Sequence, residues 1–150
     1  MELLTNILIA IHTINAAMWV GAVFMGSMID PPALRQSADS PWFLVNFIVM
    51  QGRNVFIWVY LAMTLIFVTG VLLIWLHPPQ TAWEVTLLVL KGVALAIMAG
   101  NTLYGSLVTW PKIQFATPDE VQVLWRPYLI RAYITFACGI FGFILGALAR

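Results

Sequence analysis

The chain alternates long apolar stretches with short clusters of polar residues and prolines. The apolar stretches lie at about 4–29, 54–76, 83–108 and 128–148. Each reaches the ~20 residues that a helix needs to cross the hydrocarbon core of a bilayer. The pattern therefore predicts an all-α integral membrane protein, a four-helix bundle of transmembrane helices. The polar clusters hold helix starts. Thr81 and Glu84 form a T-x-x-E capping box before the third stretch, and Ser40-Pro41 and Thr117-Pro118 each put a capping residue ahead of a proline. Runs at 41–50 and 118–126 read as short helices along the cytoplasmic membrane surface. Trp75, Trp83, Trp110 and Trp125 fall where interfacial aromatics belong.

Composition narrows the class. Hydrophobic residues make up 62% of the chain and charged ones 9%, against about 25% charged in a soluble domain, and mean hydropathy is +0.94. A soluble or disordered chain is excluded. The net charge of +1 leaves no basic footprint for nucleic acid, and one cysteine allows no intrachain disulfide and no zinc cluster. The first stretch opens on Glu2 rather than on lysine or arginine, is long for a leader and has no small-residue cleavage site after it, so it reads as a retained span. Arg35, Arg53, Lys112, Arg126 and Arg131 follow the first and third stretches, whereas Arg150 stands alone on the other side. The positive-inside rule then puts both of those loops in the cytoplasm and both termini outside. A bacterial inner membrane is the expected setting.

A repeat runs through this framework. Shifting the chain by 79 residues carries Gly21 and Gly26-Ser27 onto Gly100 and Gly105-Ser106, Ile29 onto Val108, Pro32 onto Pro111, and His12 onto Lys91. A shift of about 78 relates Ser40-Pro41 loosely to Thr117-Pro118 and carries Arg53 onto Arg131. The expectation is two parallel-repeat helical hairpins about a pseudo-twofold axis along the membrane normal.

Few residues in these spans can do chemistry. His12 and Lys91 each stand about 12 Å inside their spans at 1.5 Å per residue, and a lysine at depth costs about 2.5–3.5 kcal/mol on insertion scales. The repeat makes a shared central site natural for the two. Asn15 and Trp19 follow His12 at i+3 and i+7 on one helical face, where Asn15 is placed to orient the imidazole and Trp19 to wall a pocket. Arg53, Arg126, Arg131, Asn101 and Tyr104 form a second polar level near the cytoplasmic side. These arginines read either as snorkelling topology signals or as holders of propionates or phosphates of a bound ligand. The methionines lack a copper-binding pattern and read as packing filler, and Cys138 as a small buried residue. Gly142-x3-Gly146, with Gly139 one turn earlier, is a pattern for close helix approach within the bundle or in a homodimer. No serine elbow, P-loop, HExxH or GxGxxG occurs.

His12-x6-Trp19-Val20-Gly21, Pro31-Pro32, Leu34-Arg35, Gly70 after the Arg53-led second span, and Leu90-Lys91 together resemble a superfamily of small four-helix membrane proteins. That superfamily includes the CopD-type copper-resistance membrane domain and the HemJ-type protoporphyrinogen oxidases. The HemJ side of the resemblance implies a haem b or porphyrin in a redox role, with His12 as axial metal ligand and Lys91 near the site. The remaining binding-residue expectations are Asn15, Trp19, Arg53 and Arg131, and the second axial position would fall to Lys91, Met98 or an exogenous molecule. The CopD side implies copper passage. The chain lacks the tyrosine-histidine pair, the opening arginine pair and the asparagine-glutamate-proline run of the HemJ pattern, and the multiple membrane histidines of copper handling. Two further classes stand beside the redox reading: transport of a small solute past His12 and Lys91, and a non-enzymatic accessory subunit of a larger membrane complex.

Overall fold

The capping chemistry starts helices where the sequence places it, and apolar length carries them on. In the computed structural model, which describes residues 2–30 and 40–149, Ser40 Oγ accepts from the Phe43 amide at 3.2 Å. Thr81 Oγ1 accepts from the Glu84 amide at 3.2 Å, while the Glu84 carboxylate accepts from the Thr81 amide at 3.3 Å. Glu120 likewise accepts from the Thr117 amide at 2.8 Å. Each contact satisfies a helix-terminal donor that has no intrahelical partner. Pro31, Pro32, Leu34, Arg35 and Arg150 lie outside the described residues.

Helix α1 (Glu2–Phe24) runs into a π-helical segment, π1 (Met25–Ile29). After α2 (Pro41–Leu76), the third span consists of α3 (Ala82–Tyr104), a second π segment, π2 (Gly105–Thr109), and α4 (Trp110–Gln114). Helix α5 (Pro118–Leu148) closes the chain. The result is an all-α protein with four helical spans of 28 to 33 residues, each long and apolar enough to cross a membrane. Large apolar side chains such as Ile57, Phe67, Val89 and Ile144 point outward from all parts of the bundle, a surface suited to lipid.

Segments 41–50 and 118–126 are not separate surface helices. They are the first turns of α2 and α5, which continue unbroken into the membrane spans, with Pro127 accommodated inside α5. Packing explains the difference: Val45, Ile48, Val121 and Trp125 bury their apolar faces against Trp110 and Ile113 rather than on a headgroup layer. Trp110 and Trp125 are accordingly core residues, 5% and 6% exposed, whereas Trp75 and Trp83 at the other end are 77% and 60% exposed, as interface anchors would be.

Helix α1 packs mainly on α2, and α3 mainly on α5, so the molecule is two hairpins, joined chiefly where α1 meets α5. At that junction a Cβ on Gly139 would collide with Val20. The other two glycines of the expected close-approach motif behave differently. A Cβ on Gly142 or Gly146 would meet nothing within 4 Å, so the bundle itself does not use them for helix contact.

Burial fixes how the hairpins correspond. At a shift of 79, the buried residues Leu8, Asn15 and Trp19 of α1 fall on the buried Leu87, Ala94 and Met98 of α3. Both helices change to π geometry at the Gly-Ser pair, where Ser27 Oγ donates to the Val23 carbonyl and Ser106 Oγ donates to the Thr102 carbonyl. A hydroxyl competing for the i−4 carbonyl is a local cause for a widened turn.

The second helices correspond at a shift of 76, not 78. Buried Val45, Val59 and Thr69 then meet buried Val121, Thr135 and Leu145. Tyr60 falls on Phe136, and each crosses to the first span of the other hairpin: Tyr60 reaches Ser106, while Phe136 packs on Phe24, ring centroids 5.5 Å apart. The crossing is unevenly shared, for α1 packs on α5 more extensively than α3 does on α2. A two-residue slip turns a side chain about 200° around a helix, so Arg53 and Arg131 are not counterparts. Arg53 is exposed on the outside, and the position matching Arg131 is Val55.

Candidate functional site

The two π segments flank a cavity of about 80 Å³ between the hairpins. Its walls obey the repeat. Ala22, Val23 and Gly26 line it from the first hairpin, and their counterparts Asn101, Thr102 and Gly105 line it from the second. Gly52, Val55, Phe56 and Val59 of α2 face Tyr128, Arg131, Ala132 and Thr135 of α5, again matched pair by pair at a shift of 76. The cavity therefore lies where the repeats meet.

The matched pairs differ in polarity. The first hairpin presents Ala22, Val23, Gly52, Val55 and Val59 where the second presents Asn101, Thr102, Tyr128, Arg131 and Thr135, while Phe56 corresponds to Ala132. The first hairpin adds Ser27 and Gln51, and the Gln51 amide donates to the Asp30 carboxylate. Aromatic residues close one end. The Trp110 indole fills the space beside Gly52, where any Cβ would fall inside the ring. It meets Phe56 edge-on at 5.1 Å and Tyr128 at 6.3 Å, and Tyr128 stacks on Trp125 at 5.0 Å.

Arg131 lines the cavity, and among the described residues no lining carboxylate compensates its charge. One terminal nitrogen donates to Thr109 Oγ1 at 3.0 Å, and the guanidinium carbon sits 4.5 Å from the Tyr104 ring centroid. Its Nε is buried and has no acceptor. Two other buried side-chain polar atoms share that condition among the described residues, Trp19 Nε1 and Trp110 Nε1. All three belong to residues that line this one cavity. A buried donor left dry costs about 1–3 kcal/mol, and these three belong to residues gathered around one space.

His12 and Lys91 lie elsewhere. Trp19, the cavity residue nearest His12 along α1, is seven residues further on, about 10 Å at the helical rise, and neither His12 nor Lys91 lines the cavity. The two are brought within Coulombic reach of each other, in the half of the bundle that holds the termini. His12 is oriented by Thr69, not by Asn15: Nδ1 and Thr69 Oγ1 are 2.9 Å apart, and the ring edge rests against Gly70. Asn15 instead donates to the Ile11 carbonyl of its own helix at 2.8 Å. Trp19 does wall a pocket, Arg131 does enter it with Asn101, and Arg53 and Arg126 remain on the exterior.

This arrangement bears on the porphyrin expectation. An engineered cavity on the order of 150 Å³ holds a single benzene ring, and the present cavity is smaller and contains no histidine. His12 is packed inside the first hairpin on Thr69 and Gly70, residues that would have to part to admit a macrocycle. The residues present do not fit a haem. No group of three or more His, Cys, Asp or Glu side chains among the described residues is placed to hold a metal ion. His77, the other histidine, shares a hydrogen bond of 3.0 Å with Thr5 at the terminal end.

Sequence reasoning did not single out Thr69, Gln51, Gly52, Tyr128 or Thr135 for the site. A signal was present: Phe67-Val68-x-Gly70-x-Leu72 repeats as Phe143-Ile144-x-Gly146-x-Leu148, which gives the shift of 76 directly. It also accounts for Gly146, the counterpart of the glycine against which the His12 ring rests. Comparison with protein-family models, with curated proteins and with solved structures finds no match for this chain, so the likeness to CopD-type and HemJ-type proteins rests on its short motifs alone.

Proposed function

We propose that this integral membrane protein binds a small polar solute within the bilayer, in the cavity where its two hairpins meet, and serves the passage of that solute. The observation that carries the reading is that the residues with a buried, unpartnered side-chain donor among the described residues, Trp19, Trp110 and Arg131, all line that one cavity. Buried polar groups in folded proteins almost always find partners, and a solute with acceptor atoms supplies them here. Location on the repeat axis supports passage, because substrate sites of repeat-built transporters lie where the repeats meet. The arginine-rich end is assigned to the cytoplasm and both termini to the outer side of a bacterial inner membrane. Solute binding is favoured over redox chemistry at a haem because the residues around His12 and in the cavity do not fit one.

Thermal unfolding of the detergent-solubilised protein, followed by tryptophan fluorescence against short-chain amides, alcohols, carboxylates and amines, tests the reading. A ligand that binds only the folded state raises its stability by mass action. Stabilisation by acceptor-bearing solutes, and its reduction in Trp19→Phe, is the expected result. No response to any class would contradict solute binding and favour an accessory, non-binding role.

A further inference from the structure

We infer that the solute is a short-chain carboxylate, held with its carboxylate against Arg131 and its hydrocarbon end against Val23, Val55 and Val59. This rests on the solute-binding reading above and adds charge, size and orientation to it. The charge follows from Arg131. A guanidinium within a membrane bundle is normally paired, yet among the described residues no aspartate or glutamate lines the cavity, and the Asp30 carboxylate takes its hydrogen bond from Gln51, a lining residue. The contacts Arg131 does make, to a threonine hydroxyl and a tyrosine ring, orient the guanidinium and leave its charge in place. The other open donors, Trp19 Nε1 and Trp110 Nε1, are indole N–H groups, which donate and never accept. A cation with no carboxylate beside it among the described residues, set among indole N–H groups and hydroxyls that can donate, favours a ligand rich in acceptors.

Orientation follows from the repeat. Val23, Val55 and Val59 stand at the positions where the second hairpin has Thr102, Arg131 and Thr135. A ligand polar on both sides would leave acceptors against valine, and a wholly apolar one would leave the guanidinium dry; each wastes desolvation. The volume of about 80 Å³ admits a head of this type with only a few carbons. A phospholipid headgroup could offer an oxyanion too; the assignment is to a free acid because a few carbons suffice for a volume of about 80 Å³.

Titration with sodium butyrate, against sodium chloride at equal ionic strength, and with butyramide, its uncharged isostere, tests this by melting shift. Butyrate should bind about tenfold or more tightly than butyramide, as a charge-assisted bond over a neutral one implies. Arg131→Gln should abolish that preference, and Arg131→Lys should restore part of it. If Arg131→Gln does not fold, Trp19→Phe should weaken butyrate about threefold or more while the charge stays. Equal binding of butyrate and butyramide would overturn the anion assignment and leave the solute site standing. No shift with either would remove the site itself. Inorganic phosphate in place of butyrate would overturn the hydrocarbon end, and stabilisation by phosphatidylglycerol nanodiscs over phosphatidylcholine ones, without butyrate, would overturn the free acid.

Discussion

The two hairpins share a scaffold and differ in what they place on it. Both bury the same positions of their first helix, both open into π geometry at a Gly-Ser pair, and both send an aromatic ring across to the other hairpin. Their chemistry has diverged. In the terminal half, His12 meets Thr69 and Gly70 in one hairpin, whereas the matching positions in the other are Lys91, Leu145 and Gly146. In the cavity half, Val23, Val55 and Val59 stand where the other hairpin has Thr102, Arg131 and Thr135. The hairpins enclose a space of matched positions, and the residues at those positions make its two sides chemically unlike.

The comparison breaks most visibly at the glycines. Gly52→Leu drives a side chain into the Trp110 ring and should cost about 3 kcal/mol or more, the upper range for overpacking. Gly100→Ala, where a Cβ meets nothing within 4 Å, should instead gain up to about 1 kcal/mol from helix propensity. Chemical or thermal unfolding in detergent reads both. Similar losses for the two would mean that the packing around the cavity is not as described.

The histidine and lysine positions give the next contrast. Thr69→Val leaves His12 Nδ1 without its partner and should cost about 1–3 kcal/mol. Lys91→Met removes a cation that has no matching threonine across the hairpin, and should raise the melting temperature. A loss in Lys91→Met as large as that in Thr69→Val would show a structural partner for the lysine. The smallest effect belongs to Tyr60→Phe, which makes the crossing rings alike and gives up the bond to Ser106. It should cost about 0.5–1.5 kcal/mol, read by the same unfolding curves.

Much of this fold is written in the sequence. The apolar lengths and the Ser40, Thr81 and Thr117 caps mark where helices run and start, and Gly21, Gly26 and Ser27 announce the repeat in the first helices. The second helices mislead because Arg53 and Arg131 draw the eye. Arginines near span ends obey topology as much as packing, so matching them slips the register by two and turns one of them to the wrong face. The site was legible in part for the same reason. Trp19, Asn101 and Arg131 stood out as polar or aromatic residues within spans, but Trp110 looked like an interfacial anchor until the fold laid it under Gly52. His12 and Lys91 did share a region, yet depth in a span does not reveal whether a side chain faces a cavity or, as His12 does, its own hairpin neighbour.

Whether the open donors gain an acceptor when solute enters can be observed at the indole N–H groups themselves. In the ¹⁵N-labelled protein in detergent, the Trp19 and Trp110 indole resonances, assigned through Trp19→Phe and Trp110→Phe, should shift in saturating butyrate. Those of the exposed Trp75 and Trp83 should stay where they are. Unmoved Trp19 and Trp110 resonances under butyrate and under butyramide alike would contradict a solute site between the hairpins.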